Sequence, residues 1–143
     1  MRVIVVDGDA AARNRVKRYL NELDDVNIAE EFSDTESALS FAENEHADLV
    51  CIDAAMSEGS GLELAESLKD LDDDIEICII SESDKFLREA NRLNAQYLLQ
   101  PVTRMSVSQM IENVQARLQY KMFKNNAGGG CSEQGFYQNI WSL

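Results

Sequence analysis

The chain has 143 residues, 45% hydrophobic and 27% charged, the size and mix of one globular domain with its own core. Thirteen Lys and Arg against 26 Asp and Glu leave a net charge of −13, which argues against nucleic-acid binding by this chain and against attachment to an anionic membrane. No apolar run reaches the roughly 18–20 residues of a membrane span, and the N-terminus turns acidic too soon for a secretory signal. Cys51, Cys78 and Cys131 share no metal-type spacing, and their odd count fits a reduced, cytoplasmic protein.

Short apolar runs alternate with amphipathic stretches. Residues 3–6 form a β-branched strand that ends at Asp7, and residues 10–23 follow as a helix with Val16, Leu20 and Leu23 on one face. Residues 26–32 read as a weaker, alternating strand near a sheet edge. Asp34 can cap a helix over 35–44. Residues 49–52 are a second strong strand, ending at Asp53, and a Gly-containing loop leads to a helix over 62–71. Residues 75–80 form the third strong run, ending at Ser81. Residues 84–93 read as a helix and 95–99 as a last strand, stopped by Pro101. From Ser106, Val107, Met110, Ile111, Val114, Leu118 and Met122 trace one long amphipathic helix.

Strands alternating with helices imply an α/β fold with a doubly wound, five-stranded parallel sheet in the order 2-1-3-4-5. Ligands gather at the carboxyl ends of the strands in such folds, where Asp7, Asp53 and Ser81 stand here. Asp7 and Asp9 alone would read as a turn and a helix cap. With Asp53 and Ser81 at neighbouring strand ends they read as a site. An acid closing a buried strand is costly unless it has a partner or a use. His46, the single histidine, reads as exposed and without a role, Cys51 and Cys78 as small core residues, and 70–74 as a solvated acidic loop. Domain boundaries are set at 1–124 and 125–143, the latter a linker and tail or the start of a truncated output domain. That tail has no Lys or Arg, and clusters Phe136, Tyr137, Ile140 and Trp141.

Asp7-Gly8-Asp9 with Arg13, Asp53-Ala54-Ala55-Met56 with Gly61, then Ser81, then Tyr97-Leu98-Leu99-Gln100-Pro101 together resemble the receiver domain of two-component response regulators. The resemblance covers residues 1–122 and the flavodoxin-like receiver fold. The stretch from Phe86 to Pro101 is most similar to receivers of the LytTR-linked kind, one residue short before Tyr97. The resemblance implies a phosphoryl switch, with a histidine kinase donating to Asp53. It implies Mg²⁺ at Asp7, Asp9, Asp53 and Ala55, and phosphoryl-binding or switch roles for Ser81, Tyr97 and the position of Gln100. A carboxylate is a poor nucleophile toward another anion, so such a site must supply positive charge.

Three departures reduce that charge or the space for phosphate. Gly8 stands where the family has a second metal-binding acid, Gln100 where it has a lysine, and Glu82 where it has a small residue. Ser57 and Glu58 also replace the usual loop residues. The expectation is an atypical receiver, not an enzyme, with weak Mg²⁺ binding and weak or no phosphorylation. Its expected partners are a histidine kinase or an attached output domain. A homodimer is expected through the face from Arg88 to Phe123, rimmed by Arg88, Arg92, Arg104, Arg117, Glu89 and Glu112. An ordinary receiver phosphorylated on Asp53 is the alternative. A haloacid-dehalogenase-type phosphatase using Asp7 and Asp9 is more remote, because it leaves Asp53 unexplained. A flavin site is weaker still, because the acidic first loop repels phosphate.

Overall fold

The computed structural model describes residues 1–56 and 60–126. The chain divides into two compact units, Met1–Met110 and Ile111–Leu143. The first contains all five strands: β1 (Arg2–Val6), β2 (Asn27–Phe32), β3 (Leu49–Asp53), β4 (Glu76–Ser81) and β5 (Gln96–Leu99). It also holds α1 (Ala10–Asn21), α2 (Thr35–Asn44), α3 (Ser60–Leu71) and α4 (Leu87–Arg92), and the opening of α5 (Arg104–Asn126).

The sheet runs β2-β1-β3-β4-β5, with every neighbouring pair parallel. Apart from Arg2 and Asp53 at their ends, the residues of β1, β3 and β4 are all buried, because a parallel sheet is covered on both faces. Ile4, Val6, Val50, Ile52, Ile77 and Ile79 share one cluster with Ala38 of α2, Leu64, Ala65 and Leu68 of α3 and Ala90 of α4. The alternate residues Val3, Val5, Leu49, Cys51, Cys78 and Ile80 are buried as well. They point to the other side, as the two-residue period of a strand requires. On α1, Val16 and Leu20 are buried, and the helix lies along β1 and β2. Each such aliphatic side chain contributes about 1.5–3 kcal/mol when fully buried.

β2 lies at a sheet edge, as its weak alternation implies. Asp34 caps α2 by accepting the Ser37 N–H at 2.7 Å. Cys51 and Cys78 are free, buried and directly paired across β3 and β4. His46 is exposed and meets Asp48 at 2.8 Å. Residues 70–74 are exposed. α4 is shorter than the sequence implies. Backbone donors before and at its start go to local turns, with Ser83 N–H on Ser81 Oγ, Lys85 N–H on Ser83 Oγ and Leu87 N–H on the Asp84 carbonyl.

The second unit continues α5 through Asn126, past the expected linker start at Asn125. Its buried residues are Ile111, Val114, Arg117 and Tyr120. Leu118 is only half-buried and Met122 is 65% exposed, so neither belongs to the buried stripe that the apolar pattern predicts. Arg117 takes a place there because its long aliphatic stem can be buried, which also removes it from the expected rim of charges. Among the described residues no helix is long and apolar enough to cross a membrane. Ser57, Glu58, Cys131 and the aromatic tail cluster lie outside the described residues.

One glycine positions the site. A Cβ added at Gly61 would lie 2.3 Å from the Asp53 carbonyl oxygen and 3.1 Å from Ala54 Cα. Only a residue without a side chain lets the first turn of α3 close on the end of β3. Gly61→Ala should therefore overpack this junction and lower stability by about 1–3 kcal/mol, read as a lower denaturant midpoint at unchanged slope.

Candidate functional site

The carboxyl ends of β1, β3 and β4 bring Asp7, Asp53 and Ser81 to one edge of the sheet. Asp7 follows β1 and is 2% exposed. Its Oδ1 accepts the Asp9 N–H at 2.9 Å. Its Oδ2 is buried and has no partner among the described residues. Burial pushes the Asp7 carboxyl up to about 6, against the pull of the Asp9 N–H. The neighbouring charges of Asp53 and Asp9 push the same way. Clustered carboxylates without a cation should shift in this direction.

Asp53 ends β3, half-buried, and its Oδ1 accepts the Ala55 N–H at 3.0 Å. Asp9 is the N-cap of α1, its side chain accepting the Ala11 N–H at 3.3 Å. That carboxylate is engaged as a helix cap. Gly8 is exposed, and a Cβ there would meet only the Ser33 carbonyl oxygen, at 3.7 Å. The backbone at Gly8 thus has room for an acid that the sequence does not supply.

Ser81 is buried, and its Oγ accepts the Ser83 N–H at 3.3 Å. Its backbone carbonyl accepts the Gln100 N–H at 2.8 Å, which ties the end of β4 to the residue after β5. The Gln100–Pro101 peptide is cis. Tyr97 is half-buried on the core, and its hydroxyl donates to the Ser83 carbonyl at 2.6 Å. Glu82 is exposed. Glu82 and Gln100 open onto a groove of about 430 Å³, whose other walls are Asp9, Ala11, Ala12, Arg15, Val16, Pro101 and Val102.

Three of the nearby cations are turned to other tasks. The Arg13 guanidinium donates to the Asp7 carbonyl oxygen at 2.6 Å and to Glu31 Oε1 at 2.9 Å, and Lys17 also pairs with Glu31. Arg104, expected on a dimer rim, holds Glu22 through two hydrogen bonds of 2.5 and 2.9 Å and lies over the Tyr19 ring. The sequence pattern does not single out Arg15. Only the helical spacing of Ala11, Ala12, Arg15 and Val16 hints that it shares a wall with the first turn.

Among the described residues no three His, Cys, Asp or Glu side chains are grouped to hold one metal ion. Asp7 and Asp53 form a pair, with the free Asp7 Oδ2 as a donor. A pair of carboxylates suits Mg²⁺, which keeps several waters and binds through one or two carboxylates plus phosphate oxygens.

The family model for the response regulator receiver domain matches residues 3–112. The chain belongs to that family. It is similar to the sensory transduction protein LytR of Staphylococcus haemolyticus, 29% identical over 119 residues that cover 82% of this chain and 46% of that protein. LytR of Staphylococcus epidermidis is 28% identical over 115 residues. The chain spans about half the length of these curated relatives. The receiver domain of AraT from Geobacillus stearothermophilus superposes with a TM-score of 0.76 at 25% identity, covering 85% of this chain and 97% of that one. The response regulatory domain of mrkE from Klebsiella pneumoniae gives 0.72 at 21%, covering 81% and 99%. The match makes the chain a receiver-type signal-transduction module and leaves the phosphatase reading without support.

The raised Asp7 carboxyl has a signed consequence for stability. The folded state holds its proton more tightly than the unfolded chain, so this group stabilises the fold in acid, and that contribution is lost as pH rises from 3.8 to about 6. Asp7→Asn should raise stability at pH 7 by about 1–3 kcal/mol without added Mg²⁺. The gain should vanish near pH 4. Denaturant titrations of both proteins at the two pH values check this.

Proposed function

We propose that this receiver domain accepts a phosphoryl group on Asp53 only poorly and acts chiefly through contacts with protein partners. The observation that carries the reading is the pairing of two strand-end carboxyls, buried Asp7 and half-buried Asp53, with the uncharged amide Gln100 after β5 where the family has a lysine. Phosphoryl transfer depends on positive charge placed where the new charge develops. A phosphate adds about −1.5 to −2 to a site that already holds two acids. Arg13 does not answer that need, because its guanidinium is committed to the Asp7 backbone and to Glu31.

Asp7 and Asp53 are the residues that would hold Mg²⁺, with Ala55 beside them. When bound, the ion supplies charge neutralisation for the carboxyl pair and the incoming phosphate. The hold is weak, because Gly8 has no side chain to offer and Asp9 caps α1. In the transfer itself an Asp53 carboxylate oxygen forms the new P–O bond as the donor's P–O bond breaks. With acetyl phosphate the leaving group is acetate, and no proton need move. Glu82, exposed beside Ser81, opposes the incoming anion.

The partners on this reading are a histidine kinase and, since the relatives are about twice as long, an output domain that controls transcription in the cytoplasm. Buried free cysteines and a net charge of −13 support a reducing compartment and a protein partner rather than direct DNA contact. Met122 and Phe123, 65% and 56% exposed near the end of α5, supply an apolar contact for a second copy of the chain. Sedimentation at rising concentration should show a weak dimer that Met122→Glu with Phe123→Glu abolishes. A mass that stays monomeric removes this contact.

Intact-protein mass spectrometry after acetyl phosphate and Mg²⁺ treatment tests the phosphorylation reading. The expected result is a minor one-phosphate adduct, absent in Asp53→Asn. Gly8→Asp, Glu82→Ala and Gln100→Lys combined should raise it at least tenfold, since one close charge pair alone is worth roughly 4 kcal/mol at an effective dielectric near 20. A near-complete adduct on the unaltered chain would mean an ordinary receiver.

A further inference from the structure

We propose that Arg15 is an electrostatic positioning residue for a phosphoryl group on Asp53, acting where Gln100 carries no charge. The proposal rests on the reading of Asp53 as the phosphoacceptor. Gln100, Asp9 and Glu82 share one open groove with Arg15, which is its single cationic wall residue. Arg15 is exposed, and among the described residues it makes no hydrogen bond or ion pair.

Its neighbours on α1 are held elsewhere. Arg13 and Lys17 are fixed on Glu31, and Arg18 lies over the Tyr19 ring at 5.2 Å. Arg104, at the start of α5, is clamped on Glu22. A mobile positive charge therefore remains at one place on this helix.

Helix geometry directs that charge toward the site. Arg15 lies six residues beyond the Asp9 cap, about 9 Å along the axis. Side chains on a helix lean toward its N-terminus, here the end that meets the carboxyl edge of the sheet. An arginine on the groove wall thus leans back toward Asp9, whose N–H is bonded to the Asp7 carboxyl. With no phosphate present it has two acids to visit, Asp9 and Glu82. A phosphoryl dianion on Asp53 outbids either of them in charge. The guanidinium keeps its charge at any working pH, and its planar fork suits phosphate oxygens.

The test is titration of the full chain with beryllofluoride and Mg²⁺ in a calorimeter, with Asp53→Asn as the blank. Arg15→Gln should weaken binding about tenfold, the size of one charge pair roughly 10 Å apart at an effective dielectric near 20. Arg15→Lys should keep most of the affinity. Gln100→Lys should restore it in the Arg15→Gln background. Raising the salt concentration should cost the unaltered chain more than Arg15→Gln, because an exposed charge is screened. Denaturant midpoints verify that each variant is folded.

Equal binding by Arg15→Gln and the unaltered chain would overturn the proposal, as would equal losses in Arg15→Gln and Arg15→Lys. Absence of any beryllofluoride binding by the unaltered chain would overturn it too, while leaving the reading of a weakened phosphoacceptor standing. The reverse failure, near-complete phosphorylation of the unaltered chain, would sink that reading and still leave the Arg15 comparison decisive.

Discussion

A carboxyl group almost shut off from water beside a second carboxyl cannot carry its full charge without help. Asp7 is in that position beside Asp53, and everything at this edge of the sheet can be understood from it. The pair has two remedies, a shared proton or a cation. Its protein surroundings offer the first through burial. They offer little of the second, because the nearest guanidinium is aimed at a backbone oxygen and at Glu31.

The framework that presents the pair does not depend on these side chains. The Ala54 N–H donates to the Ile80 carbonyl and the Gln100 N–H to the Ser81 carbonyl, so the ends of β3, β4 and β5 are joined through main-chain bonds. Tyr97 adds a hydroxyl bond to the Ser83 carbonyl. Glu82 and Gln100 alter what the edge does while these bonds stay in place. The scaffold and the residues that decide the chemistry are thus separable, because function resides in the site grafted on a fold.

The parts of this architecture that burial dictates were legible in the residues. Unbroken apolar runs at β3 and β4 have no other home than the middle of a parallel sheet, and the mixed pattern of β2 suits only an edge. Strand-end acids stood out because a buried charge demands a reason. Other parts were hidden for physical reasons. The start of α4 depends on turns made by Ser83 and Asp84, which compete with the helix for backbone donors. Arg117 took a buried place that an apolar count gave to Leu118, since a long stem with a charged tip reads as polar in any pattern. That Asp9 caps α1, and that Arg15 shares a groove with Gln100, depend on side-chain direction, which spacing alone does not carry.

β2 forms one margin of the sheet and β5 the other. An open margin offers unpaired N–H and carbonyl groups to any extended chain that passes. β2 carries Glu30 and Glu31 there, with a register shift where β1 passes from Val3 to Ile4, and β5 has only four residues. Charge, irregularity and shortness all discourage strand-to-strand growth. For a domain with a parallel sheet open at both margins, this limits stacking into open-ended fibres.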